Sequence, residues 1–131
     1  MSVEILPGKS ERREQRGDMT AEIESVVEKS GVKDGICYIF TPHTTAAITI
    51  NENADPDVRI DFIKGLAHLN FDAVKFAHVE GNSSAHLKSS LVGCSEIVIV
   101  EDGRLRLGTW QGIYFCEFDG PRSRQVYVTV K

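Results

Sequence analysis

Little in this 131-residue sequence points toward a membrane, a disulfide scaffold or nucleic acid. No apolar run approaches the ~20 residues that a membrane helix needs. The opening stretch, MSVEILPGKSERREQR, lacks the apolar core of a secretory signal. No fixed-period repeat, linker or Gly/Pro-dominated segment interrupts the chain. Cysteine is scarce and odd in number, with Cys37, Cys94 and Cys116 far apart. That excludes a disulfide framework and suits a reducing cytoplasm. Positive charge is not in excess either. Fifteen basic groups face 19 acidic ones, a net charge of −4, so neither nucleic acid nor an anionic membrane is an expected partner. A P-loop, a GxGxxG after a strand and a GxSxG are all missing. There is one tryptophan and there are four histidines, so the places where these fall carry information.

What is present reads as one domain over residues 1–131, with 41% hydrophobic and 26% charged residues. Three segments read as helices. The first starts with Asp18 or Thr20 as cap, runs through AEIESVVEKS with Ile23, Val26 and Val27 on one face, and stops at Gly31. The second has Asp55 as cap and Pro56 in the first helical position, followed by Val58, Phe62, Leu66 and Leu69 at helical spacing. The third starts at Asn82 or Ser83 and ends at Gly93. Strands are expected at 35–40, 44–51, 96–100, 104–110, 112–118 and 124–130, where β-branched and aromatic residues concentrate and several runs alternate. Glu101-Asp102-Gly103-Arg104 reads as a hairpin turn. Segments 3–6 and 10–16 read as two N-terminal strands, the charge of ERREQR placing the second at a sheet edge. This order predicts a single compact α+β domain with a mostly antiparallel or mixed sheet and about three helices.

Polar residues gather at the ends of these segments. In TPHTTAAITINEN (41–53), His43 stands before an apolar strand, and Asn51, Glu52 and Asn53 stand after it. Turn and cap chemistry accounts for the asparagines; a turn does not require the Glu52 carboxylate. In HVEGNSSAHLK (78–88), Gly81 permits a turn, and Asn82, Ser83 and Ser84 open a helix whose free amides suit a phosphate, or serve only as its cap. His78 and His86 flank that turn. Three histidines, His43, His78 and His86, thus lie in two polar clusters, a set that can bind a divalent metal such as zinc or magnesium. His68, beside Leu66 and Leu69, reads as a structural or surface residue. In LGTWQGIYFCEFDGPRSR (107–124), Trp110 reads as a stacking plane or as core, and Gln111 offers an amide pair. Arg122 and Arg124 can clamp phosphate or lie on a solvated edge. The three cysteines read as core filling.

At these residues the sequence resembles the YjbQ-like family, many of whose members are labelled secondary thiamine-phosphate synthase. The resemblance is carried by HTTAAITINENADPDV (43–58), HVEGNSSAHLKSSLVG (78–93) and EDGRLRLGTWQGIYFCEFDGPRSR (101–124). It implies a YjbQ-like α+β domain forming a homotrimer, with a metal or anion pocket near a subunit boundary. It places the family's histidines on His43, His78 and His86 and its carboxylate on Glu52, with Asn82, Trp110 and Gln111 at the other marked positions. It also implies weak thiamine-phosphate synthase activity, which joins a pyrimidine methyl pyrophosphate to a thiazole phosphate and releases pyrophosphate. In that reading His43, His78 and His86 hold a divalent metal, and Glu52 acts as base or orients a ligand histidine, with His43 and His86 also catalytic. Asn82, Ser83, Ser84, Arg122 and Arg124 hold phosphate, Trp110 stacks on the ring and Gln111 orients it. The alternative is a non-catalytic trimer that binds a phosphorylated metabolite in the same pocket.

Overall fold

The structure is a computed structural model that describes residues 2–131. Among them the order is β1 (Glu4–Lys9), β2 (Gln15–Asp18), α1 (Thr20–Ser30), β3 (Gly35–Phe40), β4 (Ala46–Glu52), α2 (Pro56–Ala67), a 3-10 turn (Phe71–Ala73), α3 (Ser83–Val92), β5 (Ser95–Glu101), β6 (Arg104–Leu105), β7 (Gln111–Glu117) and β8 (Ser123–Val130). The strands form a five-stranded sheet, β1-β8-β3-β5-β6, and a three-stranded sheet, β2-β7-β4. Every pairing is antiparallel. The expected α+β architecture is the observed one, and β2 lies at a sheet edge as its charge requires.

The main core lies between the two sheets, where Ile39, Val98 and Val128 meet Ile48, Ile113 and Phe115. Helix α1 closes it with Ile23, Val26 and Val27. Strict alternation along β3 sends Cys37 and Ile39 inward and leaves Ile36, Tyr38 and Phe40 partly open on the outer face. The other face of the small sheet carries Ala47, Cys116 and Phe118 against Ala85 of α3 and Phe62 and Leu66 of α2. No helix is long and apolar enough to cross a membrane among the described residues.

Several local expectations are refined. Helix α2 starts as predicted, with the Asp57 amide donating to the Asp55 carboxylate at 2.9 Å and Pro56 in the first turn. Its apolar stripe is only half covered, however, and no residue of α2 is fully buried. The strand expected at 104–110 shrinks to Arg104–Leu105. The Gly108 amide donates to Gln111 Oε1 at 2.8 Å and turns the chain before β7. Residues 11–14 bend and join no sheet, and the second N-terminal strand begins at Gln15. The hairpin turn after β5 holds Asp102 and Gly103 at φ 53° and 76°, the left-handed geometry that a tight antiparallel reversal uses. Cys37 and Cys116 are core residues whose thiols burial pushes up to about 11 and about 12. Cys94 is not core filling: it is exposed at the entry to β5, one residue after the chain leaves α3 through Gly93.

Candidate functional site

The loop from β3 to β4 carries His43. Thr41 anchors it, its amide donating to the Cys94 carbonyl at 2.9 Å and its hydroxyl to the Gln125 carbonyl at 3.1 Å. The Gln125 amide in turn donates to His43 Nε2 at 2.9 Å. A neutral imidazole that accepts at Nε2 carries its proton on Nδ1 and is a donor there. Burial pushes the His43 imidazole below its ordinary range, and the Arg124 and Arg122 guanidiniums act the same way against Glu117. The ring is therefore neutral at pH 7. Because the unfolded chain binds this proton more readily, stability is complete above the unfolded value, about 6.5, and declines as pH falls through it. His43→Ala is expected to flatten this stretch of a Tm-against-pH curve.

His43 faces a cavity of about 380 Å³ that is also lined by His78, Asn82, His86, Arg122 and Arg124. Gly81, at φ 76°, turns the chain into α3. Asn82 stands at the N-cap but makes no side-chain cap bond; its Nδ2 donates to Asp119 Oδ2 at 2.8 Å. Its Oδ1 is buried with no hydrogen-bond partner among the described residues. The first amides of α3, at Ser83 and the buried Ser84, open the helix beside the cavity, and such amides suit an anion. The His78 and His86 rings stand at 88° with centroids 5.4 Å apart.

The two arginines differ. Arg122 is half-exposed and donates to the Asp119 carbonyl and carboxylate at 3.0 and 2.8 Å. Arg124 is 6% exposed and forms a two-pronged pair with Glu117, which is 1% exposed. It also donates to Thr45 Oγ1 at 2.7 Å. Glu117 accepts from the Ser10 hydroxyl at 2.6 Å and from the Asp119 amide at 3.1 Å. Arg124 thus joins β8 of one sheet to β7 of the other, and its charge is balanced where it lines the cavity. Glu117 escaped sequence reasoning. A carboxylate inside the apolar run GIYFCEF was the available signal, because a buried charge needs a partner.

The remaining candidates lie elsewhere. Glu52 ends β4, Gln111 begins β7, and the two face each other in the ladder. His43 precedes the opposite end of β4, so the two groups are separated by roughly 20 Å of extended chain. The Glu52 carboxylate accepts from the Ala54 amide at 3.0 Å, so it also serves the turn. Trp110 is 63% exposed, which excludes the core reading. His68 is exposed, its Nδ1 lying 3.3 Å from the Lys64 carbonyl.

No group of three or more His, Cys, Asp or Glu is placed to hold an ion among the described residues. The lone pair of His43 Nε2 is already used by the Gln125 amide. The 5.4 Å centroid spacing of His78 and His86 is close to the about 5 Å of two rings sharing a tetrahedral ion at about 2.0–2.1 Å from each nitrogen.

Residues 4–131 match the family model described as UPF0047 protein YjbQ-like. The chain belongs to the YjbQ/UPF0047 family. A UPF0047 protein of Methanocaldococcus jannaschii is 57% identical over 122 residues, covering 93% of this chain and 88% of the relative. UPF0047 protein YugU of Bacillus subtilis is 52% identical, with 96% of each covered. A YjbQ/UPF0047 crystal structure from Clostridium acetobutylicum superposes with a TM-score of 0.94 at 50% identity, covering 97% of this chain and 98% of that one. A YbjQ-like protein of unknown function from Sulfolobus solfataricus reaches 0.94 at 33% identity, covering 98% and 95%. For this YjbQ-family chain, kinship over its whole described length makes the two-sheet scaffold a family property. What the pocket does is a matter for its own side chains.

Proposed function

We propose that the histidine cavity binds the phosphate of a small phosphorylated metabolite. The observation that carries this reading is a cavity on which His43, His78, Asn82, His86, Arg122 and Arg124 converge, with Glu80 also on its wall. His43 supplies a neutral N–H donor, the start of α3 supplies main-chain amides, and Arg122, half-exposed and paired with Asp119, supplies positive charge. The reaction proposed from the family resemblance is thiamine-phosphate synthesis. There the thiazole nitrogen attacks the methylene carbon of the pyrimidine, a C–N bond forms, the C–O bond breaks, and pyrophosphate leaves. That displacement transfers no proton, so Glu52 contributes position and charge in it, not basicity. With Glu52, Trp110 and Gln111 at the far end of the ladder, a ring-binding half must come from a second copy. The family resemblance implies a homotrimer, and the assembly proposed is that trimer with the site at the subunit boundary.

A second reading, a divalent ion held by His78 and His86, is favoured by their 5.4 Å spacing and by the unpartnered Asn82 Oδ1. Such an ion would polarise a phosphate oxygen. The test is phosphate titration and metal analysis of chelator-free protein beside His86→Ala. A hydrogen bond to a charged group is worth about 1.5–3 kcal/mol, so the variant should bind phosphate roughly 10–100-fold more weakly. Unchanged affinity together with unchanged metal content would remove the site. Binding without any product from the two thiamine precursors would favour the non-catalytic metabolite binder.

A further inference from the structure

Beneath α2, on the helix-covered face of the small sheet, two guanidiniums share one aromatic ring. Arg16, on β2, holds its guanidinium carbon 3.8 Å from the Tyr114 centroid and 4.9 Å from that of Phe62. Arg59, on α2, lies 5.2 Å from the same Tyr114 ring. Arg16 is 4% exposed and donates Nη2 to the Glu52 carbonyl at 3.1 Å. Its Nε and Nη1, and the Nε of Arg59, are buried with no hydrogen-bond partner among the described residues. None of these residues lines the histidine cavity.

The carboxylates nearby form no hydrogen bond or ion pair with either guanidinium among the described residues. Asp18 accepts from the Thr20 amide and hydroxyl at 2.9 and 2.6 Å. The Glu52 carboxylate holds the Ala54 amide at 3.0 Å, and Asp55 caps α2. Neither arginine forms a salt bridge among the described residues. Two like charges on one ring repel, and burial deepens the penalty for each unmet donor. A single water has two acceptor lone pairs and no charge, whereas three donors and two cations need more of both.

We propose that Arg16 and Arg59 form a second binding site, for a small oxyanion of the phosphate class. A tetrahedral anion offers enough acceptor oxygens for all three donors and offsets both charges, and guanidinium forks match its geometry. The Tyr114 and Phe62 rings hold the Arg16 fork in place. The site is independent of the reading given to the histidine cavity.

Arginine Nε–H resonances of the full-length protein report on it directly, with inorganic phosphate as the probe. Phosphate should shift the Arg16 and Arg59 Nε–H signals saturably. His86→Ala should leave those shifts intact, which separates this site from the histidine cavity. Arg59→Met should weaken the Arg16 response roughly tenfold, as expected for the loss of one charged hydrogen-bond partner. Arg16→Met should do the same to the Arg59 signal, so either variant serves if the other does not fold. Signals that are protected but indifferent to phosphate would mean buried water and would overturn the proposal. Signals that follow protein concentration instead would mean a carboxylate of a second copy and would overturn it equally.

Discussion

Replacing Glu117 by alanine is expected to lower stability by about 3–5 kcal/mol, the usual cost of stranding one partner of a buried ion pair. For a chain of this size that is a fall in Tm of roughly 10–20 °C. The effect is large because Glu117 has more than one role. It balances Arg124, accepts from Ser10 and the Asp119 amide, and so ties the two sheets together beside the cavity. The pair also sets an acid limit. Burial raises the Glu117 pKa, but the hydrogen bonds from Arg124, Ser10 and the Asp119 amide outweigh it, and the net shift is downward. A lowered folded value means that the stabilisation is fully present above the unfolded carboxylate range, about 4.3, and is lost as pH falls through the folded value. Glu117→Gln should therefore be less stable at neutral pH and show a shallower acid limb. Chemical denaturation between neutral and acid pH measures both. An alanine variant with wild-type Tm would show that the pair contributes nothing.

Tyr114→Ala should be comparably damaging, about 3–5 kcal/mol, as for other buried aromatic truncations. Tyr114 is fully buried in β7, its hydroxyl donates to the Glu52 carbonyl at 3.1 Å, and its ring carries the Arg16 guanidinium. The variant removes ring volume and leaves that guanidinium without its surface. Tyr114→Phe keeps the ring and gives up the bond to the Glu52 carbonyl and a long one from Arg59 Nη2 at 3.5 Å, so it should cost about 1–2 kcal/mol. Equal losses for the two variants in denaturant titrations would mean that the hydroxyl, not the ring, matters.

Much of the secondary structure was legible because its causes are local. Asp55-Pro56 marks the start of α2, Gly31 ends α1 at φ 72°, and GICYIF alternates strictly and forms β3 with the expected bounds. The polar clusters at segment ends were legible too, and three histidines do share one cavity. The separation of Glu52 from His43 was implicit, since nine positions of mostly extended chain keep two groups far apart. Trp110 was ambiguous, because a tryptophan flanked by glycines suits a core bulge as well as an exposed turn. The short β6 and the exposure of Cys94 were not legible. Both depend on where neighbouring chain runs, not on the residues themselves.

By itself the sequence determined the elements, the α+β order, the balance of charge and the family motifs. Hydrophobic period and turn chemistry act over a few neighbouring residues and leave their pattern in the chain. The tertiary structure alone decided which polar atoms meet. Gln125 holds His43 from 82 positions away, and Ser10 reaches Glu117 across 107. Those contacts set the tautomer of His43, the pairing of Arg124 with Glu117 beside the cavity, and the unmet donors of Arg16. A hydrogen bond depends on positions in space, and only folding brings such distant residues together.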